Sequence, residues 1–175
     1  MKNIILYGSC YGTARRYAEK CAEMTGIPAV SYKAASGKES YGVVVHFGAL
    51  YAGGVRGLRT AVRAARGTAR LIIVTVGLAD VADKKNTDAI RRSVARQVPQ
   101  ELLRNAALFH LRGGIDYGAL HFWHRLMMTL LYKKASRLPE SQKTAEIRAL
   151  LDTFGKKVDF VDYDSLAPVV SAVAE

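Results

Sequence analysis

The amino-acid sequence predicts an α/β fold in which a parallel sheet carries helices on both faces. Short β-rich apolar runs alternate four or five times with longer helical patterns, at the spacing of βαβ crossovers. Three of those runs stop at glycine, at Gly8, Gly48 and Gly77, as strands do where they give way to tight turns. The chain has 175 residues, 50% of them hydrophobic, which suits one domain with a substantial core and is short for two.

Each element follows from its local pattern. Asn3 to Tyr7 is a near-continuous apolar run, as expected of a strand buried on both faces. Ala14 to Met24 is a helix with Ala14, Tyr17, Ala18, Cys21 and Ala22 on one side. Gly26 stands where a left-handed cap needs glycine. Pro28 to Tyr32 and Val43 to Phe47 are the next strands, and Val55 to Arg66 patterns as a helix. Leu71 to Val76 is the clearest strand. A helix from Thr87 to Gln97 ends before Pro99, and Ala106 to Leu111 is the fifth strand. The pattern then changes. Gly113-Gly114 breaks the chain, Tyr117 to Lys134 is a helical stretch rich in aromatics and methionine, and a polar helix runs from Ser141 to Phe154. After a short apolar run near Val158 to Val161, Asp164 is expected to cap a last helix with Pro168 in its first turn. Residues 113–160 therefore read as a helical insertion within a single domain spanning 1–175.

Composition excludes several classes. It is ordinarily globular, not that of a disordered tail or a fibrous repeat. No apolar run approaches the ~20 residues of a membrane-spanning helix, and Asn3 to Tyr7 is far shorter than a signal-peptide core. Cys10 and Cys21 are too few for a disulfide framework and form no CxxC, so a reducing cytoplasm is the expected compartment. His46, His110, His121 and His124 show no metal-ligand spacing, and no metal site is expected. What composition leaves unexplained is charge. There are 26 Lys+Arg against 15 Asp+Glu, a formal net charge of +11, with a pI near 9.8.

In an open α/β sheet, ligands bind beyond the carboxyl ends of the strands. The first such loop is Gly8-Ser9-Cys10-Tyr11-Gly12-Thr13, leading directly into a helix. Hydroxyls, small residues and the positive end of a helix dipole together form an anion cradle. The loop is neither GxxxxGK[ST] nor GxGxxG, so a single phosphate suits it better than a nucleotide triphosphate or a dinucleotide. Tight βα turns also use glycine and serine for purely structural reasons. Two further loops, Gly48-Ala49-Leu50-Tyr51-Ala52-Gly53-Gly54 and Gly77-Leu78-Ala79-Asp80, should emerge at the same edge. They can flank a planar ring, with Tyr51 available for stacking.

These loops resemble the flavodoxin family, whose phosphate loop reads T-x-T-G-x-T. Here Ser9-Cys10-Tyr11-Gly12-Thr13-Ala14 occupies that frame. The first hydroxyl and the glycine match. The middle hydroxyl is replaced by Tyr11 and the last by Ala14, with Thr13 one place early. Each lost hydroxyl bond costs on the order of 1 kcal/mol. The resemblance implies FMN as cofactor, held by Ser9, Cys10, Tyr11, Gly12, Thr13 and Ala14, with Gly48, Ala49, Leu50, Tyr51, Gly77, Leu78 and Ala79 around the ring. It also implies a flavodoxin-like three-layer fold with a five-stranded parallel sheet. The stretch from Leu111 to Leu131, with Arg112, Gly113, Tyr117, Trp123 and Arg125, resembles the menaquinone-dependent protoporphyrinogen IX dehydrogenases, as does Phe160-Val161-Asp162-Tyr163-Asp164. That similarity implies a porphyrinogen substrate and a quinone acceptor.

Two features remain. Arg56, Arg59, Arg63, Arg66 and Arg70 recur at spacings of three and four, and at 100° per residue they share one side of a helix. Such a stripe is either a solvated face or a dock for an acidic partner, an anionic membrane surface or a propionate-bearing substrate. No nucleic-acid-binding motif accompanies it, so nucleic acid is not the expected partner. The segment 120–134 is apolar around much of its circumference and closes with Lys133-Lys134. It either packs on the sheet edge or forms a lid or membrane-facing surface at the inner face of the cell membrane. Three functions follow: a flavin dehydrogenase, an electron carrier between protein partners, or a binding module that has lost FMN. Ordinary flavodoxins are typically acidic, and the basic charge here counts against a plain carrier.

Overall fold

Before residue 113 the chain forms β1 (Lys2–Gly8), β2 (Ala29–Ser31), β3 (Tyr41–Tyr51), β4 (Gly54–Val55), β5 (Arg70–Gly77) and β6 (Ala107–Arg112). In this computed structural model all residues are described except 36–38, 52 and 68–69. Five strands pair in parallel in the order β2-β1-β3-β5-β6, and β4 adds a short antiparallel pairing to the end of β3. The chain steps from β1 to one side for β2, then to the other side for β3. A crevice therefore opens between the carboxyl ends of β1 and β3, the place where doubly wound sheets bind ligands.

Alternation along the strands sorts the core into two layers. Ile5, Val45, Phe47, Ile72 and Val74 face α1 (Thr13–Thr25) and, from the end of the chain, Leu166 and Val169. Leu6, Val44, Leu71 and Ile73 face α2 (Leu58–Ala64) and α3 (Lys84–Ala95), which contribute Leu58, Val62, Ile90 and Val94. The α1 helix ends as its sequence requires. Gly26 takes φ 72° and its N–H caps the Ala22 carbonyl at 2.8 Å. A one-turn α4 (Gln100–Arg104) then leads into β6.

The insertion consists of β7 (Gly114–Asp116), α5 (Phe122–Ser136), α6 (Ala145–Thr153) and β8 (Lys157–Asp159), and α7 (Ala167–Ala174) completes the fold. β7 and β8 pair antiparallel, with Ile115 opposite Val158, so the insertion returns to where it left the sheet. Its own small core joins Ile115, Tyr117, Met128, Ala135 and Leu150.

Several predicted boundaries change. The expected helix from Val55 to Arg66 is only Leu58–Ala64, because Val55 is taken by β4 opposite Leu50. The basic stripe is thereby dismantled. Arg59 and Arg63 stay on the helix, Arg66 follows it, Arg56 lies ahead of it, and Arg70 opens β5 opposite Val43. Arg70 is at the amino edge of the sheet and Arg56 at the carboxyl edge, so the five do not share a face. The predicted helix from Tyr117 is interrupted. Asp116 accepts from the N–H groups of Gly118 and Ala119, closing a 3₁₀ turn before α5 begins. Thr144 caps α6, which starts later than expected. Asp162, not Asp164, makes the cap near the end, accepting from the Asp164 N–H ahead of a 3₁₀ turn.

Candidate functional site

A cavity of about 640 Å³ lies at the carboxyl edge of the sheet, within the size range of roughly 300–1,000 Å³ typical of small-molecule sites. The first loop contributes Cys10, Tyr11 and Thr13, the β3 end Ala49, Leu50 and Tyr51, and the β5 end Gly77 and Leu78. The three predicted loops therefore converge. The opposite wall comes from the insertion: Gly113, Gly114 and Ile115 form the floor, and Met127, Met128 and Leu131 of α5, within the apolar segment 120–134, form the roof. Gly113 is required there, since a Cβ would stand 2.8 Å from both Thr13 Oγ1 and Val76 Cγ1. The sequence signals for this wall are the Gly113-Gly114 break and the apolar segment 120–134.

Two tyrosines tie the loops to the roof. The Tyr51 hydroxyl meets Met127 Sδ at 2.9 Å, and the Tyr11 hydroxyl meets Met128 Sδ at 3.4 Å. Thioether sulfur is a weak acceptor, so these contacts orient more than they stabilise. Tyr11 also meets the His124 ring edge-on at 6.4 Å. Burial, first among its causes, pushes the Tyr11 phenol up to about 12, so it stays protonated and a donor at neutral pH.

The remaining predicted residues sit elsewhere. Ser9 and Gly12 form the outer turn of the first loop, where the Gly12 N–H donates to Ser9 Oγ at 2.9 Å. Ala14 is buried against the sheet, leaving only its main chain toward a ligand. Gly48 is inside β3 and not in a loop; a Cβ there would collide with Val55 Cγ1 at 2.2 Å. Ala79 lines the neighbouring groove.

The start of α1 is electrostatically open. No side chain caps it and no acidic residue lies in its first turn. Among the described residues, the N–H groups of Thr13, Ala14 and Arg15 find no acceptor. Gly12, at φ 90°, has nothing within 4 Å of where a Cβ would stand, so the turn faces open space. Unclaimed amides at the positive end of a helix, with the Thr13 hydroxyl beside them, are a donor set suited to a phosphate. Helical spacing puts Arg56 on a basic helix face, either solvated or docking. Its guanidinium instead reaches this loop, with Nη1 3.3 Å from Cys10 Sγ.

A second groove, of about 960 Å³, runs between α3 and α6 and meets the cavity at Leu50, Gly53 and Glu146. Arg92, Arg96, Arg112 and Arg148 line it together with Asp80, Asp83 and Asp152. Arg112 is held there: its Nε donates to the Leu78 carbonyl at 3.0 Å, and its guanidinium lies 3.8 Å from the Phe160 ring centre. Crowding by neighbouring atoms raises the pKa of Glu146.

Strand order, switch-point crevice and a phosphate-ready βα loop together define a doubly wound ligand-binding α/β protein. The flavodoxin domain model matches residues 4–142, and the chain belongs to that family. It is similar in structure to a cysteine-to-alanine mutant of flavodoxin from Pseudomonas aeruginosa, at 20% identity and TM-score 0.40, covering 74% of this chain and 93% of that one. The corresponding cysteine-to-serine mutant gives 21% identity and TM-score 0.41 over 64% of this chain and 84% of that one. No curated protein matches the chain in sequence.

Proposed function

We propose that this protein binds FMN at the carboxyl edge of the sheet and acts as an oxidoreductase on a large apolar substrate. The phosphate would sit on the Thr13, Ala14 and Arg15 amides, and the ring system in the cavity below Met127 and Met128. Bound flavin supplies the electron acceptor and donor that no side chain here provides. The chain's own residues bind the phosphate, exclude water with the α5 roof, and keep the Tyr11 phenol protonated at the cavity wall.

The apolar roof carries the enzyme reading. A carrier that exchanges electrons with docked proteins needs an accessible flavin edge. Here α5 stands over the site and adds apolar wall on the side away from the phosphate loop. We infer a substrate of the porphyrinogen class, an apolar macrocycle with propionates, dehydrogenated with a quinone as final acceptor. Arg92, Arg112 and Arg148 in the adjoining groove suit its carboxylates. Among the described residues no helix is long and apolar enough to cross a membrane. The outer face of α5 nonetheless exposes Phe122, Trp123, Leu126 and Leu130, with Lys133, Lys134 and Arg137 toward its end. That combination suits peripheral contact with an anionic bilayer, from which an apolar quinone reaches the cavity beside Leu130 and Leu131.

A second reading has its own support. The Ser9–Gly12 bond already occupies one amide of the loop, and Tyr11 supplies no phosphate hydroxyl because it points to Met128. A module without flavin would look like this. The absorption spectrum of the purified chain, before and after FMN addition, separates the two. A yellow protein that quenches FMN fluorescence supports the flavoprotein; a colourless one that leaves it unquenched removes it. Anaerobic bleaching of the yellow form by protoporphyrinogen, with reoxidation by a quinone, then distinguishes enzyme from carrier.

A further inference from the structure

Arg56 is placed by its main chain with unusual care. Its carbonyl accepts from His46 Nε2 at 2.9 Å and its N–H donates to the Ala49 carbonyl at 3.0 Å. The carbonyl lies directly across the ends of β1 and β3, where only glycine leaves room. A Cβ on Gly8 would stand 2.1 Å from it, and one on Gly48, the register partner of Gly8, 3.2 Å. These contacts fix where the side chain starts. The side chain then runs to Cys10 in the first loop.

No carboxylate lies within ion-pair distance of the guanidinium among the described residues, and no Asp or Glu occurs between Ser40 and Ala79. A cation held on the loop that leads into the uncapped α1, against Cys10 and Tyr32 and with no carboxylate paired to it, is an arrangement that an anion completes. The loop also lacks two of the hydroxyls that its family uses, at Tyr11 and Ala14.

We propose that Arg56 is the phosphate clamp of this flavin site, replacing by charge what the loop lacks in hydroxyls, and that it selects phosphorylated over unphosphorylated flavin. The proposal rests on the flavin reading above. Because Arg56 uses its main chain for the His46 and Ala49 bonds, Arg56→Gln removes the charge and leaves those contacts in place.

Fluorescence titration of the full chain with FMN and with riboflavin, at low and high salt, tests it. The wild-type protein is expected to bind FMN about tenfold or more tightly than riboflavin. R56Q loses about ten- to a hundredfold in FMN affinity, keeps its riboflavin affinity, and shows a flatter salt dependence. Arg59→Gln, one turn away and exposed, changes neither. Equal loss for both flavins, with a lowered melting temperature of the flavin-free protein, would make Arg56 structural and overturn the clamp. Unchanged FMN binding in R56Q overturns it as well. A wild-type chain that binds neither flavin removes the flavin reading itself, and the clamp with it.

Discussion

The Tyr17 hydroxyl donates a 2.8 Å hydrogen bond to the main-chain carbonyl of Arg112. The same oxygen accepts from the Asp162 N–H at 2.9 Å. Arg112 precedes the insertion and Asp162 follows it, so one buried phenol on α1 holds both of its ends. Arg16, on the same helix, adds a 2.8 Å ion pair to Asp159, which being exposed contributes little.

Tyr17→Phe removes only that oxygen, leaving a carbonyl and an N–H without their partner. The expected destabilisation is about 2 kcal/mol, read from urea unfolding, with faster amide exchange concentrated in residues 113–162. An unchanged midpoint and unchanged exchange would mean that the β7–β8 pairing alone closes the insertion.

Gly8, the last residue of β1, and Gly12 of the loop after it should respond differently to alanine. At Gly8 the added Cβ meets the Arg56 carbonyl at 2.1 Å, so the backbones must separate, at about 3 kcal/mol or more. At Gly12 there is open space but φ is 90°, and the strain is on the order of 1 kcal/mol. Thermal unfolding of G8A and G12A checks the order. G12A as the more damaging variant would contradict the close approach of Arg56.

Stability should fall as the medium is acidified from neutral. His46 is fully buried, and desolvation lowers its pKa from 6.5 to about 4. The folded state therefore keeps it neutral while the unfolded chain takes up a proton below about pH 6.5. Stability is retained above that pH and lost progressively as pH falls toward 4, by about 3 kcal/mol for this residue. His110, lowered to about 4 by burial and by Arg91, acts in the same window. Urea midpoints measured from pH 7 to pH 4 should show the slope, and His46→Gln, which retains a donor for the Arg56 carbonyl, should flatten it. An equally steep profile in H46Q would assign the slope to other groups.

Trp123 is the single tryptophan of the chain and is 74% exposed, beside Phe122 at 70%. If α5 meets a bilayer, vesicles rich in phosphatidylglycerol should shift its emission to the blue and sediment with the protein. Neutral phosphatidylcholine vesicles should do so far less. Phe122→Ser, which leaves the reporter in place, is expected to weaken binding by about tenfold. Emission unchanged by anionic vesicles would leave α5 as a lid alone.

Much of this was legible in the residues themselves. The apolar runs of β1, β3 and β5, the Gly26 cap and the convergence of three loops on one sheet edge follow from local periodicity and from the rule that parallel strands end together. The sequence by itself thus determined the α/β class, the layering and the meeting of the three loops at the carboxyl edge. Tertiary structure decided what sequence spacing could not. Five arginines at helical intervals are not a face, because Val55 is drawn into pairing with Leu50 and the helix starts only at Leu58. Arg56 reaches Cys10, 46 residues away in sequence, because Gly8 and Gly48 let its main chain cross the strand ends. Periodicity records which side of an element is apolar. Which distant groups then meet is set by the close approach of backbones, and here two absent side chains made that room.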